Sequence, residues 1–231
     1  MHRLSEYKSI QSIAKLVLDE IEKFVSSEST EKSIIEDCKN LLSKYGLTET
    51  WYYDVPALVL LGTRSCLSIS GKNYKPNNEL VGSHNLISID LSPCINDIWG
   101  DCARSFVFEN GKATKEPTDE LFIKGFSIER KLHNELLKYA TTDISFEDLF
   151  FYFNNMIFEF GYENLDFAGN LGHSIVNKKE DRIYIEKGNS LELGSVKLFT
   201  FEPHIREIGN IWGYKYENIY YFNENNHLVE L

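Results

Sequence analysis

Two apolar stretches joined by a polar loop constrain this chain more than any other feature. Asn85-Leu86-Ile87-Ser88-Ile89-Asp90-Leu91 alternates with the period of a strand, and Ser92-Pro93 interrupts it. Asp101-Cys102-Ala103-Arg104-Ser105-Phe106-Val107-Phe108 resumes the pattern up to Asn110-Gly111. The spacing predicts an antiparallel hairpin with its loop around Asn96-Asp97. Strand period puts Ser88 and Asp90 on one face, and it puts Asp101, Ala103 and Ser105 together on the second strand. Two carboxylates then approach each other in a mostly apolar setting. Close carboxylates repel and lose hydration unless a cation or a shared proton compensates them, so the pair points to a metal. The ordinary alternative is that each Asp is a turn residue or a solvated cap.

The flanking segments have helical spacing. Residues 4–25 place Ile10, Ile13, Ala14, Val17, Leu18, Ile21, Phe24 and Val25 on one face, and residues 30–45 repeat the pattern with Ile34, Ile35, Cys38, Leu41 and Leu42. Thr30 stands where an N-cap belongs, and Gly46 is a residue type that closes helices. Residues 121–139 read as a third helix and 145–160 as a fourth, capped by Ser145 with Asp148 three residues on and ended by Gly161. Thr30 to Gly46 and Ser145 to Gly161 are each sixteen residues apart, and β-type patterning follows both glycines. This reads as an internal duplication of the form helix, helix, strands, with halves of about 1–113 and 114–231 in a single domain of 1–231. Near the end, residues 196–202 lead into Pro203, and 214–222 pair with 227–231 across 223–226. The expected fold class is α+β, with helices covering one face of an antiparallel sheet.

Composition narrows the partners. The 24 Lys and Arg face 35 Asp and Glu, and a net charge of −11 argues against nucleic acid or an anionic membrane while suiting a cation site. No run of about 18 apolar residues occurs, and Met1-His2-Arg3-Leu4-Ser5-Glu6 lacks the apolar core of a signal peptide, so the expected location is cytoplasmic. Cys38, Cys66, Cys94 and Cys102 show no CxxC spacing and read as buried free thiols.

Three further ionisable residues sit in apolar or aromatic contexts: His173 after Leu171-Gly172, Glu202 after Thr200-Phe201, and Glu217 after Tyr216. Singly, each has an ordinary explanation: a hydrogen-bonded core histidine, an exposed residue ahead of a proline turn, the polar member of an alternating strand. Taken with Asp90 and Asp101 they make four carboxylates and one imidazole, a ligand set suited to two adjacent divalent ions such as Mn²⁺, Co²⁺, Fe²⁺ or Zn²⁺.

The order Asp90, then Gly100-Asp101-x-x-Arg104-x-Phe106, then Gly172-His173, Phe201-Glu202-Pro203 and Tyr216-Glu217-Asn218 resembles the creatinase/aminopeptidase "pita-bread" superfamily. That group holds methionine aminopeptidases, Xaa-Pro aminopeptidases, prolidases and creatinase. The resemblance covers nearly the whole chain and implies a duplicated catalytic domain whose antiparallel sheet encloses a dinuclear metal site. The extra N-terminal domain of prolidases and creatinase is not seen, so a bare catalytic unit is expected. By the resemblance, Asp101 and Glu217 bridge two ions, Asp90 serves one, and His173 with Glu202 serves the other. Two ions about 3.5–4 Å apart lower the pKa of a shared water and polarise a scissile carbonyl. Glu202 is the implied proton shuttle.

The departures bear on substrate. Family peptidases carry a histidine ahead of the first Asp, where this chain has Gly71-Lys72-Asn73-Tyr74-Lys75-Pro76, so Asn73 or Tyr74 takes the substrate-binding place. Seven positions after His173, where the family has a carbonyl-binding histidine, stands Glu180. A carboxylate does not donate unless protonated, and loss of one such donor costs on the order of 100- to 1000-fold in rate. His204, after Glu202-Pro203, is a candidate substitute donor; its ordinary reading is a turn histidine. The expected activity is a metallo-aminopeptidase-like hydrolase acting on the N-terminal amide of a short peptide, Xaa-Pro favoured, or a related small amide. The alternatives are a metal-retaining enzyme with different chemistry on a small amino-acid-derived molecule and a non-catalytic binding module. Oligomeric state is left open, with a homodimer as one candidate.

The remaining polar and aromatic residues have smaller expected roles. His84 reads as a solvated loop residue and His133 as an exposed helix residue. Phe146, Phe150, Phe151, Phe153, Phe158 and Phe160 read as core packing of one helix. Arg104 is placed to support the bridging Asp101, and Trp51, Tyr52 and Tyr53 to line the substrate entrance.

Overall fold

Capping chemistry fixes the helices where the sequence puts them. The computed structural model describes residues 2–231. Helices α1 (His2–Glu20) and α2 (Glu31–Lys44) precede strands β1 (Glu49–Thr50), β2 (Leu58–Leu61), β3 (Asn85–Leu91), β4 (Pro93–Ile95), β5 (Ile98–Trp99), β6 (Cys102–Glu109) and β7 (Lys112–Thr114). Helices α3 (Glu120–Tyr139) and α4 (Phe146–Glu159) precede β8 (Tyr162–Asn164), β9 (Phe199–Phe201), β10 (His204–Glu207), β11 (Gly213–Lys215), β12 (Asn218–Phe222) and β13 (Leu228–Glu230). Thr30 and Ser145 each accept from the backbone three residues on, and Ser33 and Asp148 return the bond, so both helices begin with a reciprocal capping box. Gly46 and Gly161 follow with φ of 80° and 82°.

The central sheet runs in the order β2-β3-β6-β7, all antiparallel, with Asp90 opposite Ala103 and Ser88 opposite Ser105. The expected hairpin is present. Asn96 and Asp97 turn the small β4–β5 ribbon with φ of 49° and 62°, and Asn110-Gly111 turn β6 into β7. Every residue of β6 is buried, because α1 packs near one side and β11 and β12 near the other. Two apolar clusters result, one built on α1, α2 and the central sheet, the other on α3, α4 and the C-terminal strands.

Residues 214–222 do not form one strand. β11 pairs with β10, while β12 pairs with β9 and β13, and the chain changes sheets at Tyr216-Glu217. The Glu217 N–H donates to Ala103 of β6 (3.0 Å), a bond available only where the segment leaves its first sheet. His133 is buried rather than exposed; its Nδ1 lies 2.7 Å from the Tyr220 hydroxyl and its Nε2 2.9 Å from the Tyr216 carbonyl. Cys38 and Cys102 are buried thiols, whereas Cys66 and Cys94 are half-buried. Phe146 and Phe153 pack in the core of α4, but Phe151 and Phe158 lie on its outer face and are exposed. Among the described residues, no helix is long and apolar enough to cross a membrane.

Candidate metal centre

Asp90, Asp101, His173, Glu202 and Glu217 all reach one cavity of about 530 Å³, and a different backbone device carries each there. Asp90 lies next to the end of β3, facing Ala103 across the ladder. Asp101 precedes β6, and buried Gln11 of α1 clamps its main chain: Gln11 Nε2 donates to the Asp101 carbonyl (2.7 Å) and the Asp101 N–H donates to Gln11 Oε1 (2.9 Å). Gly100 permits the clamp, since a Cβ there would stand 2.9 Å from Gln11 Oε1. Glu217 is held by its N–H on Ala103 and by Arg104, whose Nη1 donates to the Glu217 carbonyl at 2.6 Å. Arg104 also donates to the Asn218 side chain and lies 3.8 Å from the Tyr216 ring centre. Its support therefore acts on the backbone that carries Glu217.

Gly172 brings His173 in. Its φ is +143°, and a Cβ there would sit 2.2 Å from the Thr200 carbonyl oxygen. That approach lets the His173 N–H donate to Thr200 Oγ1 (3.0 Å) and the Thr200 N–H to the His173 carbonyl (2.7 Å). The imidazole Nδ1 lies 3.1 Å from the Ser174 carbonyl, which can only accept, so Nδ1 carries the proton and Nε2 keeps a lone pair. Nε2 faces Asp101 Oδ2 and Glu202 Oε1, each at 3.7 Å. Glu202 follows β9, its N–H bonded to the Leu171 carbonyl at 2.9 Å.

Carboxylate oxygens of Asp90, Asp101 and Glu217 lie within 4.8 Å of one another. Neither Glu217 oxygen has a hydrogen-bond partner among the described residues, although the residue is 1% exposed. Burial first, then Asp90 and Glu202, pushes the Asp101 carboxyl well up; burial, then Asp101 and Glu202, does the same to Glu217. Burial lowers the His173 imidazole, which keeps it neutral. Converging carboxylates with unused lone pairs, beside a neutral imidazole of the correct tautomer, fit a divalent metal ion.

Lys215 enters this cluster unforeseen. Its Nζ lies 2.7 Å from Asp90 Oδ2, 3.2 Å from Glu202 Oε2 and 3.8 Å from Glu217 Oε2. Against its own desolvation, Asp90, Glu202 and Glu217 hold the ammonium well above its ordinary pKa. Against Glu202's own burial, the Lys215 ammonium holds that carboxyl below the usual range. The spacing of two residues to Glu217 was the available signal, since i and i+2 share a side in extended chain.

The other expected site residues fall elsewhere. His204 lines the cavity, but its Nε2 lies 2.6 Å from the Ser65 carbonyl, so its one proton is committed to the backbone. Burial lowers His204 to about 4, which keeps it neutral and unable to supply a second proton. Asn73, Tyr74 and Glu180 do not line the cavity. The Tyr74 hydroxyl donates to the Val59 carbonyl (2.6 Å), Asn73 is exposed, and Glu180 is exposed in the short turn Lys179–Asp181. Ser68, Ser70, Arg182 and Tyr184 form the wall instead, together with the expected Trp51, Tyr52 and Tyr53. The Arg182 guanidinium lies 5.4, 5.9 and 5.2 Å from the ring centres of Trp51, Tyr52 and Tyr184.

A mixed helix and antiparallel-sheet fold of this kind is that of the pita-bread metallopeptidases. The sequence matches Metallopeptidase family M24 over residues 5–224, and the chain belongs to that family. An X-Pro aminopeptidase from Thermotoga maritima MSB8 is 21% identical with a TM-score of 0.79, over 99% of this chain and 60% of that one. The prolidase from Pyrococcus horikoshii OT3 is 16% identical with a TM-score of 0.81, over 100% of this chain and 61% of that one. A methionine aminopeptidase from Rickettsia prowazekii is 14% identical with a TM-score of 0.73, over 99% of this chain and 96% of that one. This chain thus spans about three fifths of the X-Pro aminopeptidase and prolidase chains. A search of curated protein sequences gives no match.

Proposed function

We propose that this chain is a metal-dependent aminopeptidase-like hydrolase of short peptides, with Xaa-Pro peptides as the favoured substrates. The observation that carries the reading is the convergence of Asp90, Asp101, His173, Glu202 and Glu217 in one cavity, with both Glu217 oxygens buried and without a hydrogen-bond partner among the described residues. These five residues would hold two divalent ions, Mn²⁺, Co²⁺, Fe²⁺ or Zn²⁺, whose chemistry is to activate water and polarise the scissile carbonyl. Glu202, kept ionised by Lys215, takes a proton on its carboxylate and hands it to the leaving amine. Burial and the neighbouring Tyr52 and Glu202 raise the Tyr184 hydroxyl, against Arg182, so it keeps its proton and is a donor for the substrate carbonyl where the family histidine is replaced. The Arg182 guanidinium, seated among three aromatic rings in the cavity wall, suits the carboxylate end of a short peptide.

A second reading, metal-retaining chemistry on another small amino-acid-derived molecule, draws support from His204, whose committed proton leaves the cavity without a histidine donor. Hydrolysis of Xaa-Pro and Met-Ala peptides by protein loaded in turn with each of the four metals separates the two. Release of the N-terminal residue is expected, and Glu202→Gln with its metal content intact should abolish it. Absence of release under all four metals would sink the peptidase reading, and full turnover by Glu202→Gln would remove the proton shuttle.

A further inference from the structure

The inner end of the metal cavity is acidic, but two cations stand against its outer aromatic wall. The Lys179 Nζ lies 4.5 Å from the ring centre of Tyr53 and 5.4 Å from that of Trp51. The Arg182 guanidinium lies 5.4 Å from the same Trp51 centre, so the two cations are near neighbours. Arg182 Nε donates to the Lys179 carbonyl at 3.1 Å, which ties both into the turn Lys179–Asp181 and leaves the Nη groups without a hydrogen-bond partner among the described residues. The facing loop also carries backbone strain. Tyr53 and Asp54 have φ of 54° and 57°, a left-handed conformation that a bulky side chain rarely adopts, and this turn brings the Tyr53 ring to Lys179.

In a chain of net charge −11, other half-buried cations find a carboxylate: Lys15 pairs with Glu230, Arg64 with Glu31 and Arg206 with Glu163. Lys179 and Arg182 have no ion-pair partner among the described residues, although Glu180, Asp181 and Glu186 are close in sequence. Aromatic faces hold a cation without neutralising it, so both charges stay available to an anion entering the cavity.

We propose that Lys179 and Arg182 together form a subsite for an acidic residue: the substrate is a short peptide whose C-terminal residue carries a second carboxylate, with the α-carboxylate on Arg182 and the side-chain carboxylate on Lys179. The inference rests on the peptidase reading above and adds to it the chemical class of the leaving portion. A guanidinium takes a carboxylate through two parallel bonds, whereas an ammonium acts as a point charge on a flexible stem. The invariant end of the peptide therefore suits Arg182, and the side chain, whose reach varies, suits Lys179. Opposite charge at the two ends of the cavity also orients the peptide, amine inward and acid outward.

Peptide pairs that differ only in charge test this: Ala-Glu against Ala-Gln, and Ala-Pro-Glu against Ala-Pro-Gln. Two readouts are taken, kcat/KM of the Mn²⁺-loaded protein and calorimetric affinity for chelator-stripped protein, which cleaves nothing. In the wild type the Glu peptide of at least one pair should exceed its Gln partner by about tenfold in both, the worth of one charge-assisted contact. Lys179→Met should bring that ratio close to one, Lys179→Arg should keep it, and high salt should shrink it. Wherever cleavage occurs, the kcat/KM ratio decides. A wild-type ratio near one in both pairs overturns the inference and leaves the peptidase reading standing, and a ratio that survives Lys179→Met overturns it equally. Absence of cleavage under every metal, with a tenfold binding preference for Glu that Lys179→Met removes, overturns the peptidase reading and supports the acidic subsite. Neither cleavage nor measurable binding of any peptide overturns both.

Discussion

Gln11→Met should loosen Asp101, a residue of the proposed metal centre, from a distance of ninety residues in sequence. Gln11 is fully buried on α1 and makes two bonds to the main chain of Asp101, at 2.7 and 2.9 Å. Methionine has similar length but neither the donor nor the acceptor, so one backbone carbonyl and one backbone N–H would lose their partners in an interior that Gly100 keeps tightly closed. At about 1–3 kcal/mol for each orphaned buried group, the expected loss is roughly 2–6 kcal/mol, a large share of a typical domain's stability. Urea denaturation of the chelated protein measures it. Titration with Mn²⁺ should show a further effect, about tenfold weaker affinity, because Asp101 would no longer be fixed where it faces Asp90 and Glu217. A loss below about 1 kcal/mol with unchanged affinity would refute the clamp and assign the placement of Asp101 to β6 alone.

Gly172→Ala should destabilise the protein by at least about 3 kcal/mol in thermal or chemical denaturation, because it combines a left-handed backbone with overlap against the Thr200 carbonyl; a near-neutral result would refute the stated approach of the two chains. Acid should weaken the chelated protein through His133, whose folded pKa burial depresses to about 3. The stability from a depressed histidine is present above the unfolded value of about 6.5 and is lost as pH falls toward the folded one, at about 1.4 kcal/mol per unit. Asp101 and Glu217, raised by burial and by neighbouring carboxylates, run the other way, gaining stability as pH falls through their folded values. His133→Gln should therefore remove roughly 2 kcal/mol of the change between pH 6.5 and 4.5, and an unaltered slope would show that His133 is protonated in the folded protein.

Local signals gave the helices away: Thr30, Ser145 and the two closing glycines act through bonds to residues within four positions, so their meaning does not depend on the rest of the chain. The β3–β6 pairing was equally readable from alternation and the turn around Asn96-Asp97, and the structure adds its register, with Asp90 opposite Ala103. Residue types and their order singled out Asp90, Asp101, His173, Glu202 and Glu217, and the fold brings all five to one cavity. Tertiary structure decided what depends on neighbours distant in sequence. Residues 214–222 read as one strand in sequence, yet the strand breaks at Glu217, where the Ala103 carbonyl and Arg104 bond its backbone in place of continued pairing. His133 looks polar-flanked in sequence and is buried because Tyr220 and the Tyr216 carbonyl satisfy both ring nitrogens. Tyr74 turned to Val59, and His204 to Ser65, for the same reason. Lys215 is the sharpest case: a lysine on a strand reads as a solvated surface residue, and only the convergence of Asp90, Glu202 and Glu217 makes burying its charge favourable. Periodicity and capping report a residue's own backbone, whereas the worth of a buried polar group is set by whatever partner the fold brings to it.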